Sequence, residues 1–241
     1  MKLVMILLLA LNYNVFASEI RKTDFSAPPS HELWDSLLKE YVSANGKVNY
    51  ESLKKNRGSL QKYLDLLATH HPGQGWSKDE QMAYWINAYN AFTIELILRN
   101  WPVKSIKDIN NPWKQKFIKL GDRIYDLDYL EHKILRAEFN DPRIHFAIVC
   151  ASYSCPPLRN EAYRADKLDV QLTDQARRFI NDPRYNKIST DAIQISQLFH
   201  WYRKDFIQKN DLITYINNYS DVKVSATARI SYLEYIWKLN D

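Results

Sequence analysis

The chain has 241 residues, a formal charge of +5 from 33 Lys+Arg and 28 Asp+Glu, seven Trp and sixteen Tyr. That aromatic load excludes a disordered chain, and five glycines are too few for an all-β barrel built on many tight turns. The basic residues are dispersed among acidic ones, which reads as a solvated mixed surface and not as a nucleic-acid face.

In chain order, residues 1–17 read as a signal peptide: Lys2, the apolar run Leu3 to Leu11, and Val15-Phe16-Ala17 before Ser18. The run is too short to span a bilayer, and no later apolar stretch is long enough for a membrane helix. The expectation is therefore a secreted or periplasmic protein with no stable membrane insertion. Residues 18–30 read as a flexible leader and residues 31–241 as one domain, large enough for an ample core.

Leu33, Trp34, Leu37, Leu38 and Tyr41 recur at helical spacing, and Leu53, Leu60, Tyr63, Leu64 and Leu67 mark a further helical region. His70-His71 is adjacent and precedes Pro72, so it reads as a loop and not a metal site, which wants spacing of three or four on a helix. Ser77-Lys78-Asp79-Glu80 is a capping box opening the longest apolar helix, which is apolar on nearly all sides from Met82 to Leu98 and so predicted to be the central one. Asn87 and Asn90 lie within it, three apart and on one face. Buried amides need partners, and tying down loops is favoured over orienting a catalytic group.

Phe117 to Leu127 reads as a hairpin about Gly121-Asp122, and Asp128 as the cap of a helix carrying Glu131 and His132. Arg143 to Cys150 is apolar and β-rich, predicted to be a buried strand that delivers the loop Ala151 to Leu158. Leu168 to Ile180 is a helix, Lys187 to Ile195 a second hairpin, and the aromatic run Ser196 to Phe206 helical in its latter half. Leu212 to Tyr219 makes one more helix, and Ile230 to Asn240 a strand-like tail suited to seal the sheet. The fold class is α+β: a single domain of N-terminal helices around a central buried helix, with a small, mainly antiparallel sheet.

These segments carry a resemblance. Trp85-Ile86-Asn87-Ala88-Tyr89-Asn90-Ala91, Glu131-His132-Lys133-Ile134-Leu135-Arg136, Arg143 to Leu158, Trp201-Tyr202-x-x-Asp205-Phe206 and Tyr235-x-Trp237-x-Leu239-Asn240 resemble the DUF547 family, in order, from Trp34 to Asn240. The resemblance implies an α+β domain of unestablished function, found in exported bacterial proteins and beside a leucine-zipper region in plant proteins. Ile236 stands where the family commonly has Asp.

The chain's two cysteines, Cys150 and Cys155, sit at this loop. Cys155 precedes Pro156-Pro157, so it is placed at a helix N-cap, where a thiol pKa falls and backbone N–H groups could form an oxyanion hole. Cys150, at the strand end, is expected to be the inert one. On a regular strand His145 and Cys150 point to opposite faces, so the base for Cys155 is His145 or His132, with His200 a further candidate and Glu131 or Asp205 to orient the imidazole. A Cys150–Cys155 disulfide or other structural role ranks above thiol catalysis, and a metal site last.

The favoured reading is an exported binding or scaffold domain with a polar pocket around this loop, formed by Asn87, Asn90, Arg143, Cys150, Ser154, Trp201 and Asp205. It takes an unidentified small molecule, peptide or protein, and calls for no cofactor, metal or nucleic acid. The alternative is a cysteine-dependent hydrolase or acyltransferase acting on an amide or ester, with Cys155 as nucleophile.

Overall fold

The computed structural model describes residues 27–73 and 75–241. The expected signal peptide and residues 18–26 of the leader lie outside these described residues.

Three helices, α1 (Glu32–Tyr41), α2 (Tyr50–Lys55) and α3 (Arg57–Thr69), precede the long α4 (Lys78–Arg99). Ser77 and Glu80 form the expected capping box: Ser77 Oγ accepts from the Glu80 N–H at 3.2 Å, and the Glu80 carboxylate accepts from the Ser77 N–H at 2.6 Å. Every residue from Met82 to Leu98 is buried, as expected of a helix with no polar face. The one charge in that run, Glu95, is neutralised by Arg57 and Arg99.

Strands β1 (Ile118–Leu120) and β2 (Arg123–Tyr125) form the expected antiparallel hairpin. The helix after it is capped by Asp126, whose Oδ1 accepts from the Tyr129 N–H at 2.7 Å, and not by Asp128. One turn, α5 (Leu127–Tyr129), then widens into a π-helix at Leu130–Phe139. Such i→i+5 winding is rare and recurs at functional sites.

The segment read as a strand from Arg143 is instead a short helix, α6 (Ile144–Ala147), followed by an extended run to Cys150. Asn140 adopts a left-handed conformation, and Asp141 Oδ1 accepts from the Arg143 N–H at 2.9 Å. That Asx turn starts a helical turn and outweighs the β preference of the residues after it. The backbone beyond finds its partner in a side chain: Asn90 donates to Ala147 O and accepts from the Val149 N–H, both at 2.9 Å. An amide on α4 thus takes the place of a neighbouring strand, and the alternation argument that set His145 and Cys150 on opposite faces does not apply.

After α7 (Leu168–Asn181) come β3 (Lys187–Ile188), β4 (Ala192–Ile195), α8 (Leu198–Trp201), α9 (Arg203–Phe206), α10 (Leu212–Asn217) and β5 (Arg229–Tyr232). The sheet order is β3-β4-β5, with β3 antiparallel and β5 parallel to β4. Only the start of the expected tail strand joins this sheet. Leu233 makes the last bond to β4, its N–H donating to Ile195 O at 2.8 Å, and the chain beyond pairs with the cysteine loop through the Ser152–Leu239 bridge.

Two hydrophobic clusters result. One gathers α1–α4 with the π-helix, Ile144, Ala147 and Cys155; the other packs Phe146, Phe179, Phe199 and Phe206 against the sheet. Helix α6 contributes to both, so His145, between Ile144 and Phe146, lies at their seam. The fold is α+β, and among the described residues no helix is long and apolar enough to cross a membrane.

Candidate functional site

At that seam is a cavity of about 120 Å³ lined by Glu131, His145, both cysteines, and the aromatic side chains of Tyr89, Trp113, Trp201, Tyr202, Tyr235 and Trp237. Six segments meet there: α4, the short turn Pro112–Lys114 carrying Trp113, the π-helix, α6 with the cysteine loop, α8 with the turn after it, and the tail.

The loop is held open in a defined shape. Ala151 has φ of 58°, a left-handed conformation costing a non-glycine residue about 1–2 kcal/mol. The tail secures it: the Asn240 N–H donates to Ala151 O at 3.2 Å and the Tyr153 N–H to Lys238 O at 2.7 Å. Ser154 is part of this clamp, its Oγ accepting from the Ile236 N–H at 2.9 Å. Ile236 therefore contributes its backbone here. Pro157 packs directly on Gly46, whose φ of 82° and lack of a side chain allow the contact.

No helix follows Cys155. Pro156 and Pro157 continue as extended chain, because a residue before proline is driven from the helical region. The expected N-cap and its oxyanion hole are therefore absent, and the Cys155 N–H is occupied by Ser152 O at 3.1 Å. Both cysteines are free thiols, 2.8 Å apart at sulfur. The Cys150 N–H donates to Cys155 Sγ at 2.9 Å. Cys150 Sγ also lies 3.2 Å from Tyr235 Oη and 3.0 Å from Ser152 Oγ, and Ser152 Oγ donates to Tyr235 Oη at 3.0 Å.

This geometry separates the two thiols. Burial pushes Cys150 up, but hydrogen bonds from Cys155, Ser152 and Tyr235 and from the Ser152 backbone outweigh it and lower it to about 7. Cys155 is pushed well up, first by burial and then by its bond to Cys150 and the charge there. The pair shares its first thiolate at Cys150. The hydrogen bonds thus favour the thiolate at Cys150 over Cys155, the reverse of the order expected from the sequence.

His145 is 3% exposed and its Nε2 donates to Asp205 Oδ2 at 2.7 Å. Its ring stacks on Tyr202 with centroids 3.9 Å apart. Asp205 also receives a two-point bond from Arg136, Nε at 2.7 Å and Nη2 at 3.0 Å. Burial raises the Asp205 carboxyl, but the bonds from His145 and Arg136 prevail and hold it well below the usual carboxylate range. An ionised acceptor at Nε2 places the proton there and leaves Nδ1 as the basic atom. Burial lowers the His145 pKa, with Asp205 opposing, so the imidazole is neutral at pH 7. No hydrogen bond joins this ring to either thiol; the two share the cavity wall.

Glu131 does not orient an imidazole. Its Oε2 accepts from the Tyr89 hydroxyl at 3.1 Å and its Oε1 from the Tyr202 hydroxyl at 2.6 Å. His132 faces a separate cavity of about 630 Å³, which shares Trp113, Glu131 and Tyr202 with the smaller one. Its Nδ1 accepts from Arg136 Nη1 at 2.8 Å. His200 packs against Tyr232 and lines neither cavity.

The other expected residues divide. Trp201, 46% exposed, stands at the cavity rim, stacked on Trp237 with centroids 5.9 Å apart. Asn90 lies behind the loop with its amide spent on the backbone. Asn87 does the same farther away, donating to Tyr163 O at 2.8 Å and accepting from the Tyr163 N–H at 3.0 Å. Arg143 points elsewhere, to Asp141, Asp169 and Thr173. Tyr235, Arg136, Trp113 and Trp237 were not singled out from the sequence for a role here; for Tyr235 and Trp237 the aromatic alternation of the tail was the available signal. Among the described residues no group of three or more His, Cys, Asp or Glu is placed to hold a metal ion.

Fold and site thus define an α+β domain with a depressed-pKa thiol and a carboxylate-anchored imidazole on one small cavity. Residues 73–180 match the family model described as "Protein of unknown function, DUF547". The matched region contains the motifs at Trp85, Glu131 and Arg143, whereas those at Trp201 and Tyr235 lie beyond the match. No curated protein and no solved structure matched the chain.

Proposed function

We propose that this domain is a thiol-dependent acyl-transfer enzyme, a hydrolase or acyltransferase acting on an amide or ester, with Cys150 as nucleophile and His145 as base. The observation that carries this is the pairing, on one cavity wall, of a thiol lowered toward neutrality with a neutral imidazole whose other nitrogen is fixed by Asp205.

The steps balance. His145 Nδ1 takes the Cys150 proton through one intervening water, and the thiolate attacks the acyl carbon. A C–S bond forms, the C–N or C–O bond of the substrate breaks, and the imidazolium returns its proton to the leaving group. Water or an amine then attacks the thioester, again losing its proton to His145, and Cys150 is released as the thiol. The aromatic rim formed by Trp113, Trp201 and Trp237 receives the substrate. The signal-like residues 1–17 support export as the setting, and mass analysis of the secreted protein tests it.

The test uses p-nitrophenyl acetate on the full chain. The expected result is an acyl adduct on Cys150 at pH 7, seen by peptide mass spectrometry, and an initial burst of nitrophenol. Deacylation slows in His145→Ala. No adduct at Cys150, or identical kinetics in His145→Ala, overturns the assignment. That result would favour the reading as a binding or scaffold domain, supported by the complete use of the Asn87, Asn90 and Ser154 side chains in holding backbone.

A further inference from the structure

One carboxylate forms part of both cavities. Glu131 lines the small cavity with Cys150 and the larger one with the loop carrying Lys107, Asn110, Asn111 and Trp113. It is 7% exposed. Each oxygen accepts one phenol hydroxyl, from Tyr89 or Tyr202, and an ionised carboxylate offers about four acceptor positions. One position on each oxygen therefore stays open.

No lysine or arginine bonds it directly: the Arg136 guanidinium attracts its charge from over the Tyr202 ring, 5.1 Å from the ring centre, without reaching the carboxylate. Among the described residues the closest ionisable nitrogen is His132 Nδ1, 4.0 Å away. That nitrogen accepts from Arg136, so it carries no proton to give Glu131. Arg136 itself is committed to Asp205 and His132. Lys107 holds its ammonium over the Trp237 ring at 4.5 Å. Glu95, the other deeply buried carboxylate in a helix, has two arginines. A carboxylate shielded from water without a directly bonded cation is costly, and phenol hydroxyls supply hydrogen bonds but no charge. Tyr202 already carries His145 stacked on its ring and Arg136 over it, so Trp113, which lines both cavities, is the aromatic side chain left to meet a cation there.

We propose that Glu131 is the ammonium-binding group of this site, and that its substrates are acyl compounds bearing a primary amine within a few bonds of the scissile carbonyl. The proposal deepens the acyl-transfer reading and rests on Cys150 as the nucleophile. The ammonium completes the charge balance at Glu131, the acyl carbon lies toward Cys150, and the larger cavity takes the remainder of the molecule.

The test uses methanethiosulfonates, which Cys150 thiolate attacks at sulfur to form a mixed disulfide, releasing methanesulfinate. Rates for the aminoethyl, methyl and sulfonatoethyl reagents are divided by their rates with free cysteine, and adducts are located by fragment mass spectrometry. The expected result is at least a tenfold preference for aminoethyl over methyl, with sulfonatoethyl slowest. In Glu131→Gln, which keeps the shape, the ratio of the aminoethyl to the methyl rate falls to near one, whatever the absolute rates. Tyr202→Phe, which keeps the charge, retains it. A preference near one in the native protein, or unchanged in Glu131→Gln, overturns the ammonium site.

If all reagents react slowly at pH 7, it is the nucleophile assignment that fails, and a second measurement decides the ammonium site alone. Ethylammonium chloride should then raise the melting temperature of the native chain above equal potassium chloride, and not that of Glu131→Gln. Equal shifts in both proteins overturn the site.

Discussion

Asn87→Ala and Asn90→Ala form a matched pair that separates holding the fold from shaping the site. Both side chains are buried on α4, and each bridges one backbone C=O and one N–H. Each truncation leaves a buried donor and a buried acceptor unpaired, at about 1–3 kcal/mol apiece, so both variants should lose about 2–6 kcal/mol. Urea unfolding followed by tryptophan fluorescence measures this, with unchanged denaturant dependence. The two differ in what they hold: Asn87 fixes Tyr163, whereas Asn90 fixes Ala147 and Val149, just before Cys150. Only Asn90→Ala should disturb the thiol. If Cys150 reverts from about 7 toward an ordinary thiol near 8.5, its thiolate fraction at pH 7 falls about fifteenfold. Iodoacetamide labelling from pH 5.5 to 9.5, under conditions where each protein remains folded, reads that directly. Equal slowing in both variants, or none in Asn90→Ala, would refute the claim that this amide sets the geometry of the sulfur.

Further outcomes follow from the same contacts. Tyr235→Phe removes a donor to Cys150 and should raise the labelling midpoint by about one pH unit, the worth of one charge-assisted hydrogen bond; an unmoved midpoint contradicts the role given to Tyr235. Asp205 ionises below its unfolded value of about 3.9, so its stabilisation is present above that pH and lost as pH falls from there through the lower folded value; acid unfolding of Asp205→Asn should lack this component. His31 is lowered by burial, then by Arg164, to about 4, so the unfolded chain binds the proton first as pH falls from about 6.5. Stability should drop by about 3 kcal/mol at most between pH 7 and 4 and less in His31→Asn, by chemical denaturation at each pH. Gly46→Ala places a methyl against Pro157 at positive φ and should cost at least about 2 kcal/mol, with Cys150 labelling changed; a neutral substitution would show that the loop yields freely.

How far the amino-acid order reveals this structure depends on the range of the contacts involved. The capping box at Ser77 and the all-round burial of α4 are local patterns and were legible. So were the hairpin at Gly121 and the helix after Leu168. The segment from Arg143 was misjudged as a strand because its apolar, β-branched content is local, whereas Asn90, which captures its backbone, is 57 to 59 positions away. The consecutive prolines after Cys155 suggested a helix start, and extended chain resulted. Activation of Cys150 over Cys155 was illegible for the same reason: its hydroxyl partner on Tyr235 is 85 positions distant. The union of Glu131 with Tyr89 and Tyr202 spans 42 and 71 positions, and no spacing rule reaches so far.

The remoteness of Tyr235 along the chain makes the setting of Cys150 a property of the assembled loop and tail. An emerging or partly collapsed polypeptide has only two commonplace thiols, because the phenol that tunes one of them must first dock with its flanking segment against the loop. The environment of Cys150 is therefore complete only once the tail has closed on the loop.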